Sequence, residues 1–235
     1  MKDIFEFIAK RALDYIHYFP RIVAHPQRNV LTLVERENAL SHAVVFFLVT
    51  TAIGLVLQTP FIAEDRDLVT FAAVISVYKV VELAALALAL TLVFKLLRGA
   101  GSYEKILSAT LYIISPVYLA IVVWLIFIGG LLTGYAPELA AEWRRTGELS
   151  QGSYNAIAEI DLGVAIVMFF TSFVGPLIVF IWLIASWPIY SRLNGFGRWR
   201  TIASFILGLL VTWLVATISL VVLKGLYPKG LGGVI

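Results

Sequence analysis

Residues 106–132 read ILSATLYIISPVYLAIVVWLIFIGGLL, and no side chain in this stretch carries a formal charge. The hydrocarbon core of a bilayer is about 30 Å thick, so a helix needs about 20 apolar residues to cross it. The stretch is therefore long enough to span a membrane as one helix, and this property decides the class of the fold.

Composition places the whole chain in the same class. Hydrophobic residues make up 60% of the 235 residues and charged residues only 14%, whereas soluble globular proteins contain about 25% charged residues. A soluble domain of this length cannot bury so much apolar surface, and a disordered chain would need low hydrophobicity and high charge. The absence of Cys excludes disulfide bonds, thiolate metal sites and thiol nucleophiles. We predict an all-α integral membrane protein.

Four further segments match the first in length and apolar content. The five predicted spans are residues 41–62, 68–97, 106–132, 162–190 and 202–223. No Gly or Pro lies between Leu68 and Leu97, so one long helix is favoured there over two short re-entrant pieces. We therefore expect a five-helix transmembrane domain over residues 41–224 and a short tail over residues 225–235.

The first 40 residues have a different pattern, with apolar residues at helical spacing and most charged residues on the other side. The apolar positions are Phe5, Ile8, Ala12, Tyr15, Ile16 and Phe19. This pattern predicts an amphipathic helix that lies at the membrane interface. The alternative is a helix packed against the bundle or against a partner chain. Residues 27–40 predict a second short helix that leads into the first span.

The distribution of Lys and Arg predicts the orientation. Twelve of these residues lie on the side of the N-terminus and five on the opposite side. Because cytoplasmic loops carry the excess of Lys and Arg, we expect a cytoplasmic N-terminus, and an odd number of spans then places the C-terminus on the far side. The expected location is the cytoplasmic (inner) membrane. The net charge is +3, but the basic residues lie between apolar segments, so they are explained by orientation in the bilayer and we predict no binding to nucleic acid.

Lys79 and Glu82 lie three residues apart near the middle of the second predicted span, so they share one helix face. Each charge at such a depth costs about 2.5–3.5 kcal/mol on insertion scales, which makes the pair a functional candidate. One interpretation is a proton or ion relay, or a polar substrate site. The other is a structural pair that neutralises itself and orients the helix. No further Asp, Glu or His lies at this depth, which favours the structural interpretation.

Helix-breaking residues interrupt two spans, because Pro116 and Pro176 lie well inside them. Such kinks can open cavities, but they are also common in ordinary bundles. Gly129, Gly130, Gly163 and Gly175 are candidates for close helix approach. The three His residues form no zinc-binding pattern, and the chain has no phosphate-binding loop, nucleophile elbow or dinucleotide fingerprint. We predict no catalytic, cofactor-binding or metal-binding residues.

Residues 86–124, LALALTLVFKLLRGAGSYEKILSATLYIISPVYLAIVVW, resemble the Yip domain family, which is named for proteins that interact with Ypt/Rab GTPases. The features that match are a long second span, a turn with Gly99 and Gly101, and a third span with Tyr112 and Pro116. The segment from Pro20 to Arg28 resembles the entry to the first span in short prokaryotic members. The resemblance implies five spans with a cytosolic N-terminus.

Two features of many eukaryotic members are missing, the Asp-Leu-x-Gly-Pro element and the long soluble N-terminal region. Their absence argues against Rab binding and favours a bacterial or archaeal member. The expected function is that of a non-enzymatic membrane scaffold or adaptor, with another membrane protein or a second copy of the chain as partner within the lipid bilayer. The alternatives are a small transporter or channel that uses Lys79 and Glu82, or an intramembrane enzyme, for which no nucleophile–base pair is recognisable.

Overall fold

A computed structural model describes residues 2–61, 68–146 and 162–226, and every regular element within these ranges is helical. The helices are α1 (Lys2–Ala24), α2 (Pro26–Val34), α3 (Ala39–Gln58), α4 (Leu68–Leu96), α5 (Tyr103–Tyr135), α6 (Pro137–Thr146), α7 (Leu162–Asn194) and α8 (Arg198–Leu226), with a 3₁₀ turn over Thr59–Phe61 after α3. The predicted tail from residue 227 onward lies outside the described residues.

Five of these helices are long and apolar enough to cross a membrane, which confirms the predicted fold class. The candidate spans are Ala39–Gln58, Ala73–Leu96, Tyr103–Tyr135, Phe169–Asn194 and Arg198–Val222. Three helices, α5, α7 and α8, extend past the predicted segments, whereas α3 ends at Gln58, four residues before its predicted bound, and α4 ends at Leu96. The Ser102 side chain, for example, accepts a hydrogen bond from the Lys105 N–H at 3.4 Å and starts α5 three residues before Ile106.

The chain reaches the first span through a pair of helices. α1 is continuous through Pro20, and α2 begins at Pro26 and buries Val30, Leu33 and Val34 against the bundle. The predicted second helix thus ends at Val34, earlier than expected. The chain turns over the next four residues, and Asn38 takes a left-handed conformation (φ 60°) just before α3 begins.

The spans pack in an order that the contacts between them define. α5 runs parallel to α3 and antiparallel to α7, while α4 packs against α5 on one side and α8 on the other. The end of the bundle at which α3, α5 and α8 begin and at which α4 and α7 finish is called the N-side end below. Phe47, Phe94 and Tyr112 are among the largest fully buried side chains, and they form a core nearer this end.

The five spans differ in how much of their surface the protein covers. Of the residues in the most apolar window of each span, 39% are buried in α3 and α4 and 33% in α5, but only 11% in α7 and 6% in α8. Apolar burial does not drive helices together inside a bilayer, where close packing and polar contacts do. α3, α4 and α5 therefore form the packed centre, and α7 and α8 lie at its edge.

Candidate functional site

Lys79 and Glu82 form an ion pair on α4, with 2.9 Å between Lys79 Nζ and Glu82 Oε2. The side chains are 28% and 17% exposed, respectively. Next to the pair, the Tyr78 hydroxyl donates a hydrogen bond to the Ser219 carbonyl of α8 at 2.5 Å and also contacts the Ser219 hydroxyl. The structure therefore brings the two predicted residues together and leaves their shared face partly uncovered.

A second polar cluster joins three helices at the N-side end. The Tyr112 hydroxyl of α5 lies 2.7 Å from Nδ1 of His42 on α3, and Nε2 of His42 lies 3.6 Å from Oδ2 of Asp14 on α1. When the neutral imidazole carries its proton on Nε2, Nδ1 accepts a hydrogen bond from the Tyr112 hydroxyl and the Nε2–H faces the carboxylate. Tyr112 is fully buried. The His42 and Asp14 side chains are 14% and 33% exposed, so the cluster links three helices from the core to the surface of the N-side end.

Aromatic rings surround this cluster and hold α1 on the bundle. The ring of Tyr18 meets the His42 ring edge-on, with centroids 6.0 Å apart, and the Arg36 guanidinium lies 4.9 Å from the Tyr18 centroid. Tyr15 packs against Phe46 with centroids 4.7 Å apart. Burial raises the pKa of the Tyr15 hydroxyl, so this group stays protonated and neutral.

The structure divides the predicted apolar face of α1. Tyr15 is buried, Phe19 stacks on it with centroids 5.1 Å apart, and Ile16 is 68% exposed. The side chains of Phe5, Ile8 and Ala12 lie outside the described residues. Packing on the bundle thus accounts for one part of the predicted face, and a helix at the membrane interface stays a prediction for the other part.

Gly99 and Gly101, singled out in the turn after α4, form a close joint with the end of α7. The Gly101 N–H donates a hydrogen bond to Asn194 Oδ1 at 3.1 Å, and the Ala100 N–H donates to the Asn194 carbonyl at 3.2 Å. A Cβ atom would lie 2.5 Å from Asn194 Oδ1 at Gly99 and 2.7 Å from it at Gly101. No other residue type fits at either position without displacing Asn194. We call this contact the Gly–Asn joint.

Near Pro116, α5 and α7 exchange two hydrogen bonds, each from a tryptophan of one helix to a backbone carbonyl of the other. Pro116 has no N–H to offer the Tyr112 carbonyl, and the indole of Trp182 on α7 donates to the next carbonyl, that of Ile113, at 2.9 Å. In return, the indole of Trp124 on α5 donates to the Thr171 carbonyl of α7 at 2.8 Å. The two indoles bridge the helices at backbone positions near Pro116 and Pro176.

Two of the predicted close-approach glycines have opposite outcomes. A Cβ atom on Gly175 would lie 2.7 Å from the Trp124 ring, so this glycine makes room for the bridging indole and the prediction is confirmed. A Cβ atom on Gly130 would meet nothing within 4 Å, so the prediction is wrong there because the residue faces open space. Gly54 and Gly208, which sequence reasoning missed, make room for Tyr118 and Trp187.

Comparisons with known proteins assign no family. No family model matches the chain, and no curated protein and no solved structure is similar to it. The resemblance to the Yip domain family therefore stays a prediction that depends on residues 86–124. Within the described part of the chain, no group of three or more His, Asp or Glu residues could hold a metal ion.

Proposed function

We propose that the protein is a non-enzymatic membrane scaffold or adaptor that holds another membrane-spanning segment against α7 and α8. The observation that carries this proposal is the small buried share of these two spans, 11% and 6%. When the rest of the chain leaves the surface of a span uncovered, that surface contacts either lipid or the helices of a partner. The partner is another membrane protein or a second copy of this chain.

The way in which α7 and α8 are attached supports this proposal. Side-chain contacts join the two helices near their shared turn, where the Trp187 indole donates to the Ser204 hydroxyl at 3.1 Å and packs over Gly208. The Gly–Asn joint fixes the same end of α7 to the α4–α5 turn. Farther along, large apolar side chains such as Phe173 and Trp213 are 60% and 69% exposed. Each helix is thus held at the N-side end, and through the Trp124–Thr171 and Tyr78–Ser219 contacts farther along, while a long apolar face is presented to the bilayer.

Site-specific photo-crosslinking in intact membranes tests the proposal. A photoreactive residue at Phe173 or Trp213 should yield a discrete chain-plus-protein adduct, because these side chains face the proposed partner. The matched control is Val56 on α3, which is 72% exposed but belongs to a packed span, and there we expect lipid adducts. Lipid adducts alone at all three positions would contradict the scaffold proposal.

A small transporter or channel that uses Lys79 and Glu82 is the second candidate. The observation that favours it is the 28% exposure of the Lys79 side chain, since a pair sealed inside protein would show none. Flux of ions or protons in proteoliposomes is the test. A flux that disappears in the Lys79→Met, Glu82→Leu variant would favour transport over scaffolding.

We also propose that the protein lies in the cytoplasmic (inner) membrane with its N-terminus in the cytoplasm and its C-terminus on the far side. The Lys and Arg distribution supports this orientation. Leu13 and Ile16 are each 68% exposed on α1, which supports contact between this helix and the membrane interface. Membership of the Yip domain family would agree with the same topology.

A further inference from the structure

An open groove of about 430 Å³ lies at the elbow between α1 and α2, where this elbow meets α7. His25, Gln27, Arg28 and Ala185 contribute to its walls. Gln27 Nε2 donates a hydrogen bond to the Ala185 carbonyl at 3.2 Å, which fastens the elbow to α7. Asn29 Nδ2 donates to the His25 carbonyl at 2.9 Å and fixes the chain around the elbow. The groove therefore has a defined shape.

The groove lies in a strongly basic part of the molecule. Around the N-side turns the described residues include nine Lys and Arg but four Asp and Glu, and none of the described residues that line the groove is an Asp or Glu. The basic residues are Arg21, Arg28, Arg36, Lys95, Arg98, Lys105, Arg192, Arg198 and Arg200. Arg28 is exposed, and among the described residues it has no ion-pair partner. An anion is thus the ligand whose charge is complementary to this groove.

An exposed apolar face of α7 continues from the groove toward the bilayer. Ile184, Ile181, Leu177 and Phe173 recur at spacings of three and four residues, and they are 48%, 56%, 56% and 60% exposed. Residues at these spacings share one helix face. Ala185, which lines the groove, lies four residues after Ile181 and therefore shares that face. A ligand in the groove would therefore contact basic side chains at one end and, at the other, the apolar α7 side chains that face the hydrocarbon core of the bilayer.

We propose that this groove binds the phosphate of an anionic glycerophospholipid, with the guanidinium of Arg28 donating to the phosphate and an acyl chain lying along the α7 face. Guanidinium groups match phosphate oxygens in geometry and charge. A zwitterionic headgroup would bring an ammonium group to a groove whose described lining residues include no carboxylate, so the anionic class is preferred. This proposal does not require the scaffold function: an acyl chain beside Ile184 and Ile181, next to the groove, would leave Phe173 to the proposed partner.

Lipid binding to the full-length protein in an uncharged detergent is the test. A phosphatidylglycerol should bind saturably, and a phosphatidylcholine with the same acyl chains should bind about tenfold more weakly. Arg28→Gln should weaken phosphatidylglycerol binding about tenfold, while Arg200→Gln, a matched exposed Arg at the same end, should change it less than twofold. Added salt should weaken binding of the anionic lipid.

Two further measurements distinguish a lipid phosphate from free phosphate and test the groove with a variant that changes no charge. Inorganic phosphate should give no comparable binding, because it lacks the acyl chain that the α7 face would contact. Ala185→Leu should fill the groove and weaken lipid binding without changing any charge. Equal affinity for the two lipids, equal effects of Arg28→Gln and Arg200→Gln, or inorganic phosphate binding as tightly as the lipid would each overturn the proposal.

Discussion

At the scale of single residues, the Tyr112–His42 contact carries the strongest expectation. Tyr112→Phe removes the hydroxyl and leaves the His42 imidazole without this partner in a mostly buried position. We expect the free energy of unfolding in detergent to fall by about 0.5–2 kcal/mol, which is the range for polar contacts inside membrane proteins. The matched control is Tyr103→Phe, because the Tyr103 hydroxyl makes an exposed contact with the Ala84 carbonyl at 3.3 Å. Equal stability of the two variants would contradict a role for the cluster in holding α1, α3 and α5 together.

The Lys79–Glu82 pair distinguishes the structural interpretation from transport. Removing one partner of a buried ion pair costs about 3–5 kcal/mol, whereas replacing both partners with apolar residues is often neutral. Both side chains are partly exposed. We therefore expect Lys79→Met and Glu82→Gln each to lower the unfolding temperature in detergent, but by less than the loss of a fully buried ion pair would. The Lys79→Met, Glu82→Leu variant should recover much of the loss.

The combined readout of stability and activity decides between the two functions. A double variant that is stable and biologically active would exclude the relay. A double variant that is stable but inactive would support transport. If neither single change alters the unfolding temperature, the two side chains face water, and the structural interpretation is wrong.

Sequence alone predicted the residues of this pair and missed those of the polar cluster, for a physical reason. Lys79 and Glu82 lie one helical turn apart, so helix geometry by itself brings them together. His42 and Tyr112 are 70 positions apart, and Asn194 and Gly101 are 93 positions apart. Contacts of that kind depend on how helices pack, and no local spacing in the sequence records them. Gly101 and Tyr112 were noticed through the family resemblance, without their partners.

At the scale of helices, the Gly–Asn joint predicts an asymmetry between two glycines in neighbouring turns. Gly101→Ala places a Cβ atom against Asn194 and should lower the unfolding temperature in detergent by several degrees. Gly197→Ala, in the α7–α8 turn, meets nothing within 4 Å and should leave that temperature unchanged. Asn194→Ala should lower it as Gly101→Ala does. Equal unfolding temperatures for Gly101→Ala and Gly197→Ala would show that the joint contributes no stability.

The bridge between α5 and α7 gives a second pair of matched glycines. Gly175→Ala pushes against the Trp124 ring and should weaken the contact between the Trp124 indole and the Thr171 carbonyl. Gly130→Ala has open space around its Cβ and serves as the control. We expect a blue shift or broadening of tryptophan fluorescence in the first variant only. Unchanged fluorescence in Gly175→Ala would contradict the close approach of the two helices.

Helix boundaries show where sequence reasoning works well and where it stops. Runs of apolar residues located every span, because a bilayer requires about 20 of them. Apolar runs do not show how far a helix continues into polar residues. For this reason the prediction missed that α7 extends to Asn194 and that α8 begins at Arg198, each four residues beyond the predicted bounds. The face of α1 divides between protein and surroundings, as buried Tyr15 and exposed Ile16 illustrate, because tertiary packing selects one part of an apolar stripe.

At the scale of the whole molecule, α3, α4 and α5 form a packed centre, and α7 and α8 lie at its edge, each in contact with one helix of the centre along its length. The centre explains how the chain holds its shape in a bilayer, and the two outer spans supply the surface that the scaffold proposal needs. The unequal distribution of basic residues gives the molecule two different ends, and the proposed lipid groove lies at the more basic of them. Both proposals depend on the same topology.

The central claim is therefore a five-span protein with a cytoplasmic N-terminus, and the absence of native Cys makes it directly testable. Single cysteines at Ala100, Gly197, Glu148 and Gly230 are treated in intact cells with a membrane-impermeant maleimide. The account predicts labelling of Glu148→Cys and Gly230→Cys in intact cells, and labelling of Ala100→Cys and Gly197→Cys only after the membrane is permeabilised. Labelling of Ala100→Cys or Gly197→Cys in intact cells, or protection of Gly230→Cys until permeabilisation, would contradict it.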